Sequence, residues 1–111
     1  MKEGYTIKDQ EKPHFITCTV VDWIDIFTRK IYKDIVISSL DYCIKEKGML
    51  LFGYVIMSNH IHLIVQSKDG KLSDLIRDFK KFTTKNILLA LKVQIWTHLY
   101  MIVNGNKKLR N

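Results

Sequence analysis

The residues best equipped for chemistry are two histidines one position apart, His60 and His62, set in the apolar run Tyr54-Val55-Ile56-Met57-Ser58-Asn59-His60-Ile61-His62-Leu63-Ile64-Val65. On a β-strand successive side chains point to opposite faces, so both imidazoles project from one side while Ile61 and Leu63 face the other. Held in this way, two imidazoles can grip one divalent ion. Leaving both rings unpaired amid Ile, Leu and Val would be costly, which asks for a partner.

The surrounding residues narrow the kind of site. A metallo-hydrolase of the His-x-His-x-Asp-His type would need an acid and a histidine where Ile64 and Val65 stand. A structural zinc site would want thiolates or further imidazoles close by, but Cys18 and Cys43 fall in other elements and His14 and His98 lie far away in sequence. An open site with two imidazoles and an oxygen ligand suits magnesium or manganese acting on a phosphate, where the ion offsets developing charge.

The elements that must position these histidines can be read along the chain. Residues 1–13 are polar and charged, hold the only proline, and read as a loose lead-in rather than a signal peptide. From His14 to Val21, β-branched and aromatic residues predict a first strand. The apolar loop Asp22 to Phe27 follows, and Thr28 is positioned as an N-cap. Tyr32, Val36, Leu40 and Cys43 recur at helical spacing from Arg29 to Lys47, with Ile31, Ile35 and Ile44 widening the stripe and Gly48 as the stop. Met49 to Met57 predicts a second strand, Ser58-Asn59 a tight turn, and His60 to Gln66 its antiparallel partner. After the turn-like Ser67 to Gly70, Leu72, Leu75, Ile76, Phe79 and Phe82 mark a second helix running to about Leu91. Residues 94–103, rich in apolar and aromatic side chains, read as a last strand. The expected fold is therefore α+β: a ferredoxin-like antiparallel sheet with two helices packed on one face and the histidines on the other.

Composition bounds the partners. In 111 residues, 47% hydrophobic and 26% charged, there is room for one domain with a real core, and disorder is excluded. A net charge of +7 favours a polyanion, nucleic acid ahead of a membrane surface. Arg77, Lys81 and Lys85 recur every fourth residue with Lys80 beside them, a basic ridge able to track a phosphate backbone, although on an isolated helix such a ridge is more often a plain solvated face. Two cysteines without close spacing read as buried, reduced thiols. No run approaches a membrane span, so the chain reads as cytoplasmic with no membrane partner.

Together these residues carry a resemblance. The stretch Tyr54 to Val65 resembles the HUH motif of single-tyrosine transposases, particularly the REP-associated tyrosine transposases and related insertion-sequence enzymes. Upstream, Phe15-Ile16-Thr17, Val20-Val21-Asp22-Trp23 and Phe27-Thr28-Arg29 resemble that family's first strand and loop; downstream, Leu72 to Thr83 resembles its post-motif helix. The likeness covers roughly residues 14–92, with residues 14–103 as the palm domain and 1–13 and 104–111 as loose termini.

The resemblance implies single-stranded or hairpin DNA as partner, a homodimer, and His60 and His62 as ligands of a Mg2+ or Mn2+ ion that polarises the scissile phosphodiester. It further implies a later tyrosine that attacks phosphorus, leaving a 5′-phosphotyrosine and a free 3′-hydroxyl. By position that tyrosine is Tyr100, which otherwise reads as a packing aromatic of the last strand. Arg77, Lys80, Lys81 and Lys85 would contact DNA. Nothing in Lys92 to Asn111 resembles the family's continuation, so the chain reads as truncated or shifted in frame. The alternative is a cleavage-incompetent module that binds single-stranded or hairpin DNA.

Overall fold

The computed structural model describes residues 7–21 and 24–110, the side chains at 98, 100 and 102–110 excepted. Its elements run β1 (His14–Thr19), a 3₁₀ turn (Ile26–Thr28), α1 (Lys30–Glu46), β2 (Met49–Ile56), β3 (His60–Ser67) and α2 (Leu72–Arg110). The three strands form an antiparallel sheet in the order β1-β3-β2, which places the histidine-bearing strand in the centre. Both helices lie on one face, giving the α+β arrangement expected from the pattern of elements.

Period-two alternation on β3 explains the layering. Ile61, Leu63 and Val65 are fully buried and join Val36, Leu40, Cys43, Leu75, Ile76 and Phe79 in one apolar core between sheet and helices. Dispersion and the release of water from these faces hold the layers together. Because adjacent residues alternate, His60, His62 and Ile64 are turned to the uncovered face. The apolar stripe of α1 is Tyr32, Val36, Leu40 and Cys43, all buried, whereas Ile31 and Ile44 stay exposed at its margins. Gly48 ends α1 with φ of +69°, a left-handed conformation that a side chain disfavours.

Three expectations are corrected. The segment 94–103 is not a strand: α2 runs unbroken through it, with neither glycine nor proline between Leu72 and Asn104 to stop it. Once a helix is nucleated, each added residue gains a hydrogen bond cheaply, and this outweighs the β-like composition of Ile95 to Val103. Thr28 is not an N-cap. Arg29 holds that position without a side-chain cap, and the Thr28 hydroxyl donates to the Asp25 carbonyl at 3.0 Å, closing the 3₁₀ turn. The lead-in is tied down from Ile7, which is buried in the core. The Gln10 side chain accepts from Ser73 N–H at 2.7 Å and donates to Ser73 Oγ at 2.7 Å, so it satisfies an orphan donor at the start of α2 from outside the helix. Gln66 Nε2 donates to the Glu11 carbonyl at 2.7 Å, fastening the same strap to β3.

Further along α2, Gln94 Oε1 accepts from Tyr32 Oη at 2.8 Å and from Arg29 at 3.1 Å, latching α2 to the start of α1. Beyond this latch the helix projects past the core, and the molecule is 65 Å long. Among the described residues no helix is long and apolar enough to cross a membrane.

Candidate metal centre and nucleic-acid surfaces

The β2–β3 turn sets the entry of the histidine strand. Met57 N–H donates to the His60 carbonyl at 2.8 Å, Val20 N–H to the Asn59 carbonyl at 2.9 Å, and Phe27 N–H to the Ser58 carbonyl at 2.9 Å. The turn is thereby fixed from both sides, by the end of β1 and by the 3₁₀ turn. His60 and His62 leave it half-buried on the uncovered face, their ring centroids 4.6 Å apart and their planes at 75°.

Each imidazole is held through the same atom. His60 Nδ1 lies 2.8 Å from Asn59 Oδ1, and His62 Nδ1 lies 3.0 Å from Thr17 Oγ1 across the strand pair. An amide oxygen only accepts, so His60 donates from Nδ1 and keeps a lone pair on Nε2. The Thr17 hydroxyl can accept from His62 Nδ1–H or donate to a bare Nδ1, so this contact sets the position of the ring and not its tautomer. An oxygen partner at Nδ1 restrains each ring, as outer-shell partners do for metal-binding histidines, and on His60 it leaves the lone pair on Nε2. Phe15 stacks on the other side of the arrangement, its ring 5.2 Å from that of His62 at 26°. Among the described residues, no group of three or more His, Cys, Asp or Glu side chains gathers to hold a metal, so the pair contributes nitrogens alone.

The basic ridge lies elsewhere. Leu75, Ile76, Phe79, Thr83 and Ile87 are the buried face of α2, and Arg77, Lys81 and Lys85 are exposed on the far side. The helical layer therefore separates the ridge from the histidines. Arg77 is engaged by Asp74 at 3.2 Å and Asp78 at 3.5 Å, which offsets its charge. Lys80, Lys81 and Lys85 join Lys92 around Leu88 and Leu89 in a shallow groove of about 600 Å3. Lys92 extends the ridge by two turns beyond what the four-residue repeat indicates, because α2 itself continues.

Tyr100 falls on α2 by its backbone, beyond the Gln94 latch, and its side chain lies outside the described residues. Trp23 likewise lies outside them. The two cysteines are free and buried. Burial pushes the Cys43 thiol up to about 11, with the nearby Asp78 carboxylate adding to the shift, so it stays protonated and inert at neutral pH.

Thr17 and Phe15 are the residues that sequence reading alone passes over. Both depend on the β1–β3 register, His62 opposite Thr17 and Ile64 opposite Phe15, which no local pattern specifies. Asn59 is visible as a turn residue, but its hold on His60 is not.

A family model described as Transposase IS200 like matches residues 8–108. No curated protein and no solved structure shows a significant match.

Proposed function

The chain belongs to the IS200-like transposases, a family whose activity is DNA transposition, and from that premise we propose that it cuts and rejoins single-stranded DNA at a site built on His60 and His62. The observation that carries this reading is the shared restraint of the two rings, each held at Nδ1 by an oxygen, with Nε2 as the nitrogen a cation would take. His60 and His62 would hold Mg2+ or Mn2+, which supplies charge stabilisation at a phosphodiester when bound. Two protein nitrogens leave the remaining positions open to oxygen ligands, as both ions prefer.

The residues of the chain divide the remaining work. Asn59 and Thr17 orient the imidazoles. A tyrosine hydroxyl, Tyr100 by position, attacks phosphorus: a P–O bond to tyrosine forms, the P–O bond to the 3′ oxygen breaks, and the proton passes to the departing 3′ oxygen. Rejoining reverses the step, so the phosphotyrosine conserves the energy of the broken bond. Lys80, Lys81 and Lys85, with Arg77 at the margin, contact the phosphate backbone of the same DNA on the helical side. A homodimer acting in the cytoplasm on hairpin-bearing single strands completes the proposal.

A second reading has its own support. Only two candidate ligands gather among the described residues, which equally suits a module that binds single-stranded or hairpin DNA without cutting it. Incubation with labelled single-stranded hairpin DNA and Mn2+ separates the two. A denaturation-resistant protein–DNA adduct that disappears in His60→Ala and in Tyr100→Phe supports cleavage. An adduct that survives Tyr100→Phe removes Tyr100 as nucleophile, and salt-sensitive binding with no adduct leaves the binding module.

A further inference from the structure

The uncovered face of the sheet carries more than the histidines. Phe15 is 61% exposed, although it sits on a strand whose neighbours Ile16 and Cys18 are buried. Directly across the ladder lies Ile64, 45% exposed, and beyond it Gly53, where a Cβ would meet only Ile64 Cδ1 at 4.0 Å. Val55, opposite His62, is 53% exposed. Phe15, Ile64 and Val55 with the bare shelf at Gly53 make a flat apolar patch that begins against the His62 ring. Neither α1 nor α2 covers it, because both pack on the other face. Contiguous exposed apolar surface of this kind marks a binding surface.

We infer that this patch is a stacking subsite for a nucleobase of the single strand, with the Phe15 ring as its platform. The inference rests on the reading of the histidines as the phosphate-handling site and adds what receives the base. Spacing and chemistry favour this occupant. The Phe15 ring lies 5.2 Å from His62, and successive phosphates along a strand are about 3.4 Å apart in rise. A phosphate engaged at His62 therefore brings its own base or the next one over Phe15. A base offers a π-face and needs no sequence-specific partner, which suits a patch whose side chains are all apolar. The strand is a polyanion and the chain carries +7, so approach is electrostatically favoured. A second copy laid on this face would instead bring like charge and shut away the histidines of both molecules.

The test compares two oligonucleotides of equal length by fluorescence anisotropy in Mn2+: a single-stranded thymidine-rich strand and a fully abasic sugar-phosphate strand. Phe15→Leu is expected to weaken binding of the base-bearing strand about tenfold, the loss of one aromatic–base stack, and to leave the abasic strand unchanged. Phe15→Trp should hold or raise affinity for the base-bearing strand. Equal affinity of wild type and Phe15→Leu for the base-bearing strand overturns the inference, and so does an equal loss on both strands. Wild type that binds neither strand overturns the inference together with the reading beneath it. The expected pattern combined with no covalent adduct in the hairpin assay leaves the stacking subsite standing and removes cleavage. Phe15 is exposed, so its replacement leaves the core intact, which a urea midpoint verifies.

Discussion

Replacing Thr17 by valine removes one oxygen from the site and almost nothing else. The hydroxyl lies 3.0 Å from His62 Nδ1, valine reproduces its shape, and valine is at least as good a strand former. A neutral hydrogen bond contributes about 1 kcal/mol net, which through orientation alone is worth about fivefold in any property that needs the ring in place. Loss of the tether also frees the His62 ring to turn, and outer-shell substitutions of this kind cost about 10- to 100-fold in metal affinity. The expected outcome is a Mn2+ dissociation constant raised about tenfold in the DNA-free protein, read by calorimetry or by the electron paramagnetic resonance of free Mn2+. Thr17→Ser, which keeps the hydroxyl, should bind as wild type. Stability in urea should change by no more than a few tenths of a kcal/mol, since His62 is only half-buried and water can satisfy Nδ1. A dissociation constant within twofold of wild type, alongside loss of binding in His62→Ala, would refute the orienting role of Thr17.

Other perturbations test the frame and the DNA surface. Leu63→Ala hollows the centre of the sheet, where Leu63 is fully buried, and should cost about 3 kcal/mol in urea unfolding. Gly48→Ala forces a side chain into φ of +69° and puts its Cβ 2.8 Å from Asp69 Oδ2; the expected loss is about 1–2 kcal/mol, measured by the same unfolding curve. Because the Cys43 thiol is raised from 9.0 to about 11, the unfolded chain releases this proton first as pH rises. Stability should then be intact below pH 9 and fall by about 2–3 kcal/mol toward pH 11, a slope that Cys43→Ala abolishes in urea midpoints taken across that range. Substituting both Lys81 and Lys85 by alanine should reduce the slope of log affinity for single-stranded DNA against log salt by about 1.4, at about 0.7 per lost phosphate contact; an unchanged slope would place the DNA away from the ridge.

Much of the fold is legible because its signals are local. The alternation of Ile61, Leu63 and Val65 with His60, His62 and Ile64 gives both the strand and the shared face of the histidines, and the spacing of Tyr32, Val36, Leu40 and Cys43 gives α1. What fails is the balance between composition and continuity: Ile95, Trp96 and Val103 favour a strand in isolation, but they follow a helix with nothing to end it, and Gln94 anchors that helix to Tyr32 and Arg29. The candidate site divides in the same way. His60 and His62 are set by a two-residue period, whereas Thr17 and Phe15 reach them only through a strand register that is fixed by packing. The basic ridge is visible as one flank of a helix, but which way that flank faces depends on how α2 docks.

The central place of β3 also gives the site a history within folding. His62 meets Val55 across a hairpin whose paired residues are close in sequence, but its tether Thr17 is 45 positions away. Closing so long a loop costs more entropy than forming the hairpin and is expected to come later. The imidazole pair is thus assembled early on a short hairpin, where Asn59 already holds His60, but His62 acquires its tether only when β1 docks, so the competence of the centre reports whether the whole sheet has closed. A lesion that merely loosened β1 would leave both histidines in place and still release one of them.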